Sequence, residues 1–255
     1  MCLIAFALDV HPRYALVLVA NRDEYRQRPT TPAGFWPDAP QVLAGRDQLA
    51  GGTWIGITTG GKLAAVTNYR DPRQQVVAAR SRGQLVAGYL CDTGDHATAR
   101  LQALLQRDGQ RYDGLNLLYG TWQRLQYFTN RGGSSGPVQP GVHALSNHLL
   151  DSSWPKVLRA RQLLTIALQH DELTISELLL LLRDPTPFAD AQLPDTGIGL
   201  ERERLLSPLF ITGSTYGTRS TTVILVNRNG EVLCAEQGHD QPDQAPRLFR
   251  FSLTP

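Results

Sequence analysis

The sequence predicts an α+β fold: a four-layer α/β/β/α sandwich of two mainly antiparallel sheets. Three observations lead there. Most apolar runs come in pairs joined by short turn-forming stretches, which is the connection that antiparallel pairing allows. Several runs, "LIAFAL", "ALVLVA" and "TVILV", are apolar at nearly every position, so both faces of their sheet must be covered. Helical segments interrupt the strands twice, each time as a pair, which supplies an outer layer for each sheet.

The elements follow in order. "CLIAFALD" and "YALVLVAN" flank "VHPRY", whose proline suits a turn, and form a hairpin. "TWIGIT" and "KLAAVTN" form a second one across "TGG", where glycine supplies the positive φ of a tight turn. "SRGQLVAGYLCD" and "DHATARLQALLQRD" read as the first helical pair, the latter with an Asp cap. Strands are expected again at "GLNLLYGTW", "RLQYFTN" and "HALSN". "SSWPKVLRARQLLTIALQHD", opening with Ser and a proline near the first turn, and "TISELLLLLRD" form the second helical pair. "TTVILVNRNGEVLCAE" closes the series as a hairpin around Asn-Gly. Residues 29 to 46, 131 to 141 and 184 to 200, rich in Pro, Asp and Gly, read as loops. Nothing resembles an interdomain linker, so one domain over residues 1–255 is expected.

Composition narrows the function classes. The 255 residues carry 25 basic and 23 acidic side chains, a net charge of +2, without a dense basic run. Nucleic-acid binding needs clustered cations and is not expected. The four arginines around Asp71, from Arg70 to Arg82, read as a solvated approach to a helix. No apolar stretch approaches the roughly 20 residues that span a bilayer, and "MCLIAFALDVHPR" lacks a signal-peptide pattern, so a cytoplasmic protein is expected. The three cysteines, Cys2, Cys91 and Cys234, have no metal-type spacing and fit reduced thiols. The last two sit in apolar contexts and read as core.

Cys2 follows the initiator methionine directly. A small second residue permits methionine removal, which would leave a thiol and an α-amine on one residue. An amine of reference pKa about 7.7 to 8.0 is a usable base near neutrality, and a thiol with an attached base is an activated nucleophile. A small hydrophobe at the start of a strand would satisfy the same position. The hairpin places the end of its second strand, with Asn21, Arg22, Asp23 and Glu24, close to Cys2. There a carboxylate can hold the amine and a guanidinium can lower the thiol pKa, although a charged strand end meeting solvent explains "RDE" as well. Asn68, Asn147 and Arg219 also follow or border strands. Asparagine amides can stabilise an oxyanion and arginine can hold a carboxylate, yet asparagine also ends strands for conformational reasons.

The ordered motifs "NRDE", "GGTWIGIT", "TNYRDP", "SRGQLV", "GLNLLYG", "LSNHLLDSSWPK" and "YGTRSTTVILV" resemble the NRDE family, also called the transport-and-Golgi-organisation type, over nearly the whole chain. That family is in turn similar to N-terminal-nucleophile hydrolases, in the branch of bile-salt hydrolases and penicillin V acylase. The resemblance implies a Cys nucleophile at Cys2, supported by Arg22, Asp23, Asn147 and Arg219, with Asn68 available for the oxyanion. Arg22 and Asp23 adjoin here, whereas two residues separate their counterparts in that branch. Adjacent strand residues face opposite ways, so one of them points away from the thiol or a bulge re-aims it.

The expectation is therefore a hydrolase of a linear amide or related acyl bond, acting on a small molecule without a cofactor or metal. The resemblance also implies a rival from another class, a non-catalytic carrier of haem or lipid. For it, His148 is a candidate axial ligand, although a polar loop residue accounts for it more simply. The glycines of "LAGRDQLAGGTWIG" lack the parts of a phosphate loop; a close backbone approach beside the cleft explains them. Trp54 and Tyr69 are candidate cleft residues, or else core aromatics.

Overall fold

The structure, a computed structural model, describes residues 2–74, 76, 80–241 and 244–254. The chain opens with six strands: β1 (Cys2–Leu8), β2 (Tyr14–Tyr25), β3 (Thr30–Trp36), β4 (Ala39–Asp47), β5 (Ile55–Thr58) and β6 (Lys62–Asn68). Helices α1 (Arg82–Cys91) and α2 (Ala97–Asp108) follow, then strands β7 (Leu115–Thr121), β8 (Arg124–Thr129), β9 (Gly136–Pro137) and β10 (Gly141–Leu145). Helices α3 (Pro155–Ala167), α4 (Ile175–Leu180) and α5 (Leu200–Leu206) precede the final strands β11 (Tyr216–Asn227), β12 (Glu231–Gly238) and β13 (Arg247–Ser252). Among the described residues every strand pairing is antiparallel, in two sheets ordered β10-β1-β2-β11-β12-β13 and β3-β4-β5-β6-β7-β8-β9.

The doubly apolar strands explain the layers. In β1 and β2 the even positions Ile4, Phe6, Leu16 and Leu18 meet Ile57, Leu63 and Leu118 of the facing sheet. The odd positions Leu3, Ala5, Val17 and Val19 meet Trp154, Val157, Leu164 and Leu178 of the α3 and α4 layer. On the far side, Ala64, Val66 and Leu117 pack against Leu85, Leu90 and Leu101 of α1 and α2. A period-two strand apolar at every residue thus feeds two cores, each buried large side chain contributing roughly 1.5–3 kcal/mol. The expected α/β/β/α sandwich is the observed one.

Several local readings are corrected. Residues 29 to 46 are not a loop but most of the β3–β4 hairpin. Pro32 sits at a register shift of the edge strand β3, where a missing N–H costs the ladder nothing. β9 falls within residues 131 to 141, while β13 and α5 were not anticipated, because β13 is a largely exposed edge strand and "LERERLL" is mostly polar. Asp95 does not cap α2; His96 holds the cap position without a side-chain bond, and Trp154, not a serine, precedes Pro155 at the start of α3. Cys234 is buried as expected, but Cys91, the last residue of α1, is exposed. The arginines before α1 are not all solvated: only 7% of the Arg70 side chain is exposed. Residues 75 and 77–79 of that stretch lie outside the described residues. No helix among the described residues is long and apolar enough to cross a membrane.

Candidate active site

The hairpin register sets the centre of the site. Cys2 pairs directly with Arg22, so both side chains belong to the face turned toward the second sheet, while Asp23 belongs to the face turned toward α3. Cys2, half-buried, lines a cavity of about 330 Å³ together with Arg22, Asp23, Glu24, Trp54 and Asn68. Of the two expected alternatives the first holds, Asp23 pointing away from the sulfur's face; a bulge lies on the neighbouring strand instead, where Thr218 pairs with Asp23 and Ser220 with Arg22, leaving Arg219 as the extra residue.

Each acidic or amide group of "NRDE" has a different anchor. Asn21 is buried and donates through Nδ2 to the carbonyls of Leu182 and Leu209, at 2.9 and 2.8 Å, tying β2 to the helical layer. Asp23, 1% exposed, accepts from Thr218 Oγ1 at 2.7 Å. Arg22, 5% exposed, stacks on Trp54 with its guanidinium carbon 4.3 Å from the ring centroid, and its nearest carboxylate is Glu24 at 3.9 Å. Gly45 makes room for that ring, since a Cβ there would lie 2.3 Å from Trp54.

The electrostatics follow from burial. Burial pushes the Cys2 thiol up, Asp23 pushes it further, and Arg22 opposes both. Burial also raises the Asp23 carboxyl, against the pull of Lys156. Lys156, 2% exposed in the first turn of α3, donates to the Leu206 carbonyl at 3.0 Å, and burial pushes its ammonium down to about 8.

The other expected residues divide into a lining set and a supporting set. Asn68 lines the Cys2 cavity. Asn147 is fully buried; its Nδ2 donates to the Asn68 carbonyl at 3.0 Å, and its Oδ1 accepts from Arg70 at 3.3 Å. Arg219 is not among the residues lining that cavity. It borders a smaller one of about 70 Å³ behind Arg22 and Trp54, paired with Asp240 at 2.5 Å and donating to the Arg28 carbonyl. Tyr69 borders a neighbouring cavity, and His148 lies between Tyr69 and Trp154, with ring centroids 5.1 and 5.4 Å away.

The glycine-rich loop presses on the start of α1. Thr53 N–H donates to the Gly83 carbonyl at 3.1 Å, and a Cβ on Gly52 would lie 2.2 Å from the Gly83 carbonyl carbon. That close approach forms one wall of the cavity, together with Ser81 and Arg82. Sequence reasoning passed over Arg82 and Lys156 as site residues. One signal was available: each is a cation in the first turn of a helix, where the macrodipole disfavours it. Among the described residues no group of three or more His, Cys, Asp or Glu is placed to hold a metal ion.

Comparison with known proteins fits this architecture. The family model described as Transport and Golgi organisation 2 matches residues 1–241. The chain is 36% identical to the mouse Transport and Golgi organization 2 homolog and 34% identical to the human one, with 99% of each chain covered in both cases. Among solved structures, a mutant conjugated bile acid hydrolase from Clostridium perfringens superposes with a TM-score of 0.53 at 8% identity, over 99% of this chain and 92% of that one. At that identity the likeness concerns the fold, which is that of N-terminal-nucleophile hydrolases. On sequence, fold and the matched length together, the chain belongs to the Transport and Golgi organisation 2 family.

Proposed function

We propose that this protein is an N-terminal-cysteine hydrolase of a linear amide or related acyl bond. The observation that carries the reading is the Cys2–Arg22 pairing at the wall of an open cavity, with Asp23 anchored on the next position. After removal of Met1, the α-amine of Cys2 takes the Sγ proton and sulfur attacks the substrate carbonyl carbon. Asn68 donates to the resulting oxyanion, and Asn147 holds the Asn68 backbone in place. The amine returns the proton to the leaving group as the carbon–nitrogen bond breaks. Water then cleaves the thioester, restoring the thiol.

Asp23 orients the amine from the helix side. Arg22 faces the sulfur and favours its thiolate, while Arg219 acts from behind Arg22 and adds to the positive field. A carrier of haem or lipid is the weaker reading, because the Cys2 cavity is walled largely by charged side chains and His148 is packed between two aromatic rings.

The test uses a reactive ester or amide probe, with mass analysis of the N-terminal peptide. The expected result is loss of Met1, an acyl adduct on Cys2, and no adduct in Cys2→Ala. A Cys2→Ala variant that labels fully, or a chain that retains Met1, would overturn the reading.

A further inference from the structure

The Cys2 cavity holds four arginines, Arg22, Arg28, Arg80 and Arg82, facing four carboxylates, Asp23, Glu24, Asp47 and Asp113. Their hydrogen bonds are unequally committed. Asp47 accepts from Arg28 Nε at 2.7 Å and from the N–H groups of Leu49 and Ala50. Glu24 accepts from the Tyr25 N–H, Asp113 from the Val76 N–H, and Asp23 from Thr218. Arg80 is turned toward Asp108.

The other two arginines keep most of their donors. Among the described residues Arg82 makes one hydrogen bond, from Nη1 to the Gly114 carbonyl at 3.0 Å, out of five available N–H groups. Among the described residues Arg22 makes no side-chain hydrogen bond; it stacks on Trp54 and lies 3.9 Å from Glu24. Arg82 thus brings unused donors to the cavity wall, beside Asp113, whose charge attracts it, and it stands at the first turn of α1, where the helix N-terminus adds to the positive field.

From these unused donors we infer that the Cys2 cavity takes an acyl substrate bearing a carboxylate, and that Arg82 is the residue that binds that carboxylate. The inference deepens the hydrolase reading and rests on Cys2 as its nucleophile, but its test does not need turnover.

The probes are iodoacetate and iodoacetamide, which alkylate the same sulfur and differ in charge. A change in thiolate fraction alters both rates alike, so the ratio of the two isolates recognition of the anion. The ratio is read at the Cys2 peptide by mass spectrometry, with exposed Cys91 of the same molecule and a free thiol as references. The expected result is an iodoacetate preference at Cys2 that is about tenfold above the references, the strength of one charge-assisted hydrogen bond. It falls toward the reference in Arg82→Gln and is largely retained in Arg82→Lys. In the unmodified protein, succinate protects Cys2 from iodoacetamide and a tetramethylammonium salt does not.

A ratio at Cys2 equal to that of the free thiol, or no protection by succinate, overturns the inference even if an acyl adduct forms. An anion preference lost in Arg82→Gln supports it even where no adduct forms, an outcome that removes the hydrolase reading alone.

Discussion

Removing Arg70 or the charge of Glu203 should destabilise the chain sharply, and the two losses should not add. Arg70 Nη1 lies 2.6 Å from Glu203 Oε2, with 7% and 4% of the two side chains exposed. The same arginine stacks on Trp154 at 5.0 Å and reaches Asn147 Oδ1 at 3.3 Å. Breaking a buried pair by deleting one partner costs about 3–5 kcal/mol, because the other charge stays buried without compensation. In Arg70→Met, Glu203 keeps the N–H and hydroxyl of Thr196 at 3.0 and 2.5 Å, so about 3 kcal/mol is expected. Glu203→Gln retains an acceptor for Thr196 and removes only the charge, again costing about 3 kcal/mol.

The double variant contains no orphaned charge and should recover about 2–3 kcal/mol of the summed loss as coupling energy. Urea unfolding of the four proteins measures this, and thermal midpoints should drop by about 2–4 °C per kcal/mol in a chain of this size. Single variants each within 1 kcal/mol of the parent, or strict additivity in the double, would refute the argument that this pair anchors α5 to the end of β6.

Two other outcomes are expected. Gly52→Ala should lower stability by roughly 1–3 kcal/mol, since its Cβ would meet the backbone of Gly83 and Gln84 within 2.5 Å and neither atom can rotate away; Gly51→Ala, which meets nothing within 4 Å but strains a φ of +72°, should lose stability without changing access to Cys2, as read by alkylation rates. His143 is raised by its hydrogen bond to Asp151 at 2.7 Å, and its other ring nitrogen meets the Gln139 carbonyl at 2.9 Å. A histidine raised on folding stabilises fully below its unfolded pKa near 6.5 and loses that contribution as pH climbs through the folded value, so urea midpoints should fall on going above pH 6.5 by an amount of about 1 kcal/mol that His143→Gln lacks. A pH-independent difference between the two proteins would contradict it.

Much of the site was legible before folding was considered. The apolar run of β2 stops at Asn21, and a hairpin returns that point to the start of β1, so the Cys2–Arg22 contact follows from strand pairing alone. What the alternation argument left open, the direction of Asp23, is answered by the face it shares with Asn21 and by its bond to Thr218. Arg219 shows the converse: its position after a strand was readable, but a one-residue bulge turned it toward Asp240 and away from the cavity. Cys91 was misjudged because its apolar neighbours belong to one side of α1, and the last residue of that helix faces out.

Local sequence determined the strand pairs, the four layers and the neighbour of Cys2, because hairpin register and two-sided apolarity are properties of short segments. Only the tertiary structure decided which charges are buried. Arg70 and Glu203 are 133 positions apart, and Lys156 reaches the Asp23 side of β2 from a helix; whether a charged side chain is solvated or enclosed depends on what distant segments bring over it. For the same reason the gathering of four arginines and four carboxylates around Cys2 is absent from any one motif and exists only once α1, β2 and the glycine loop meet.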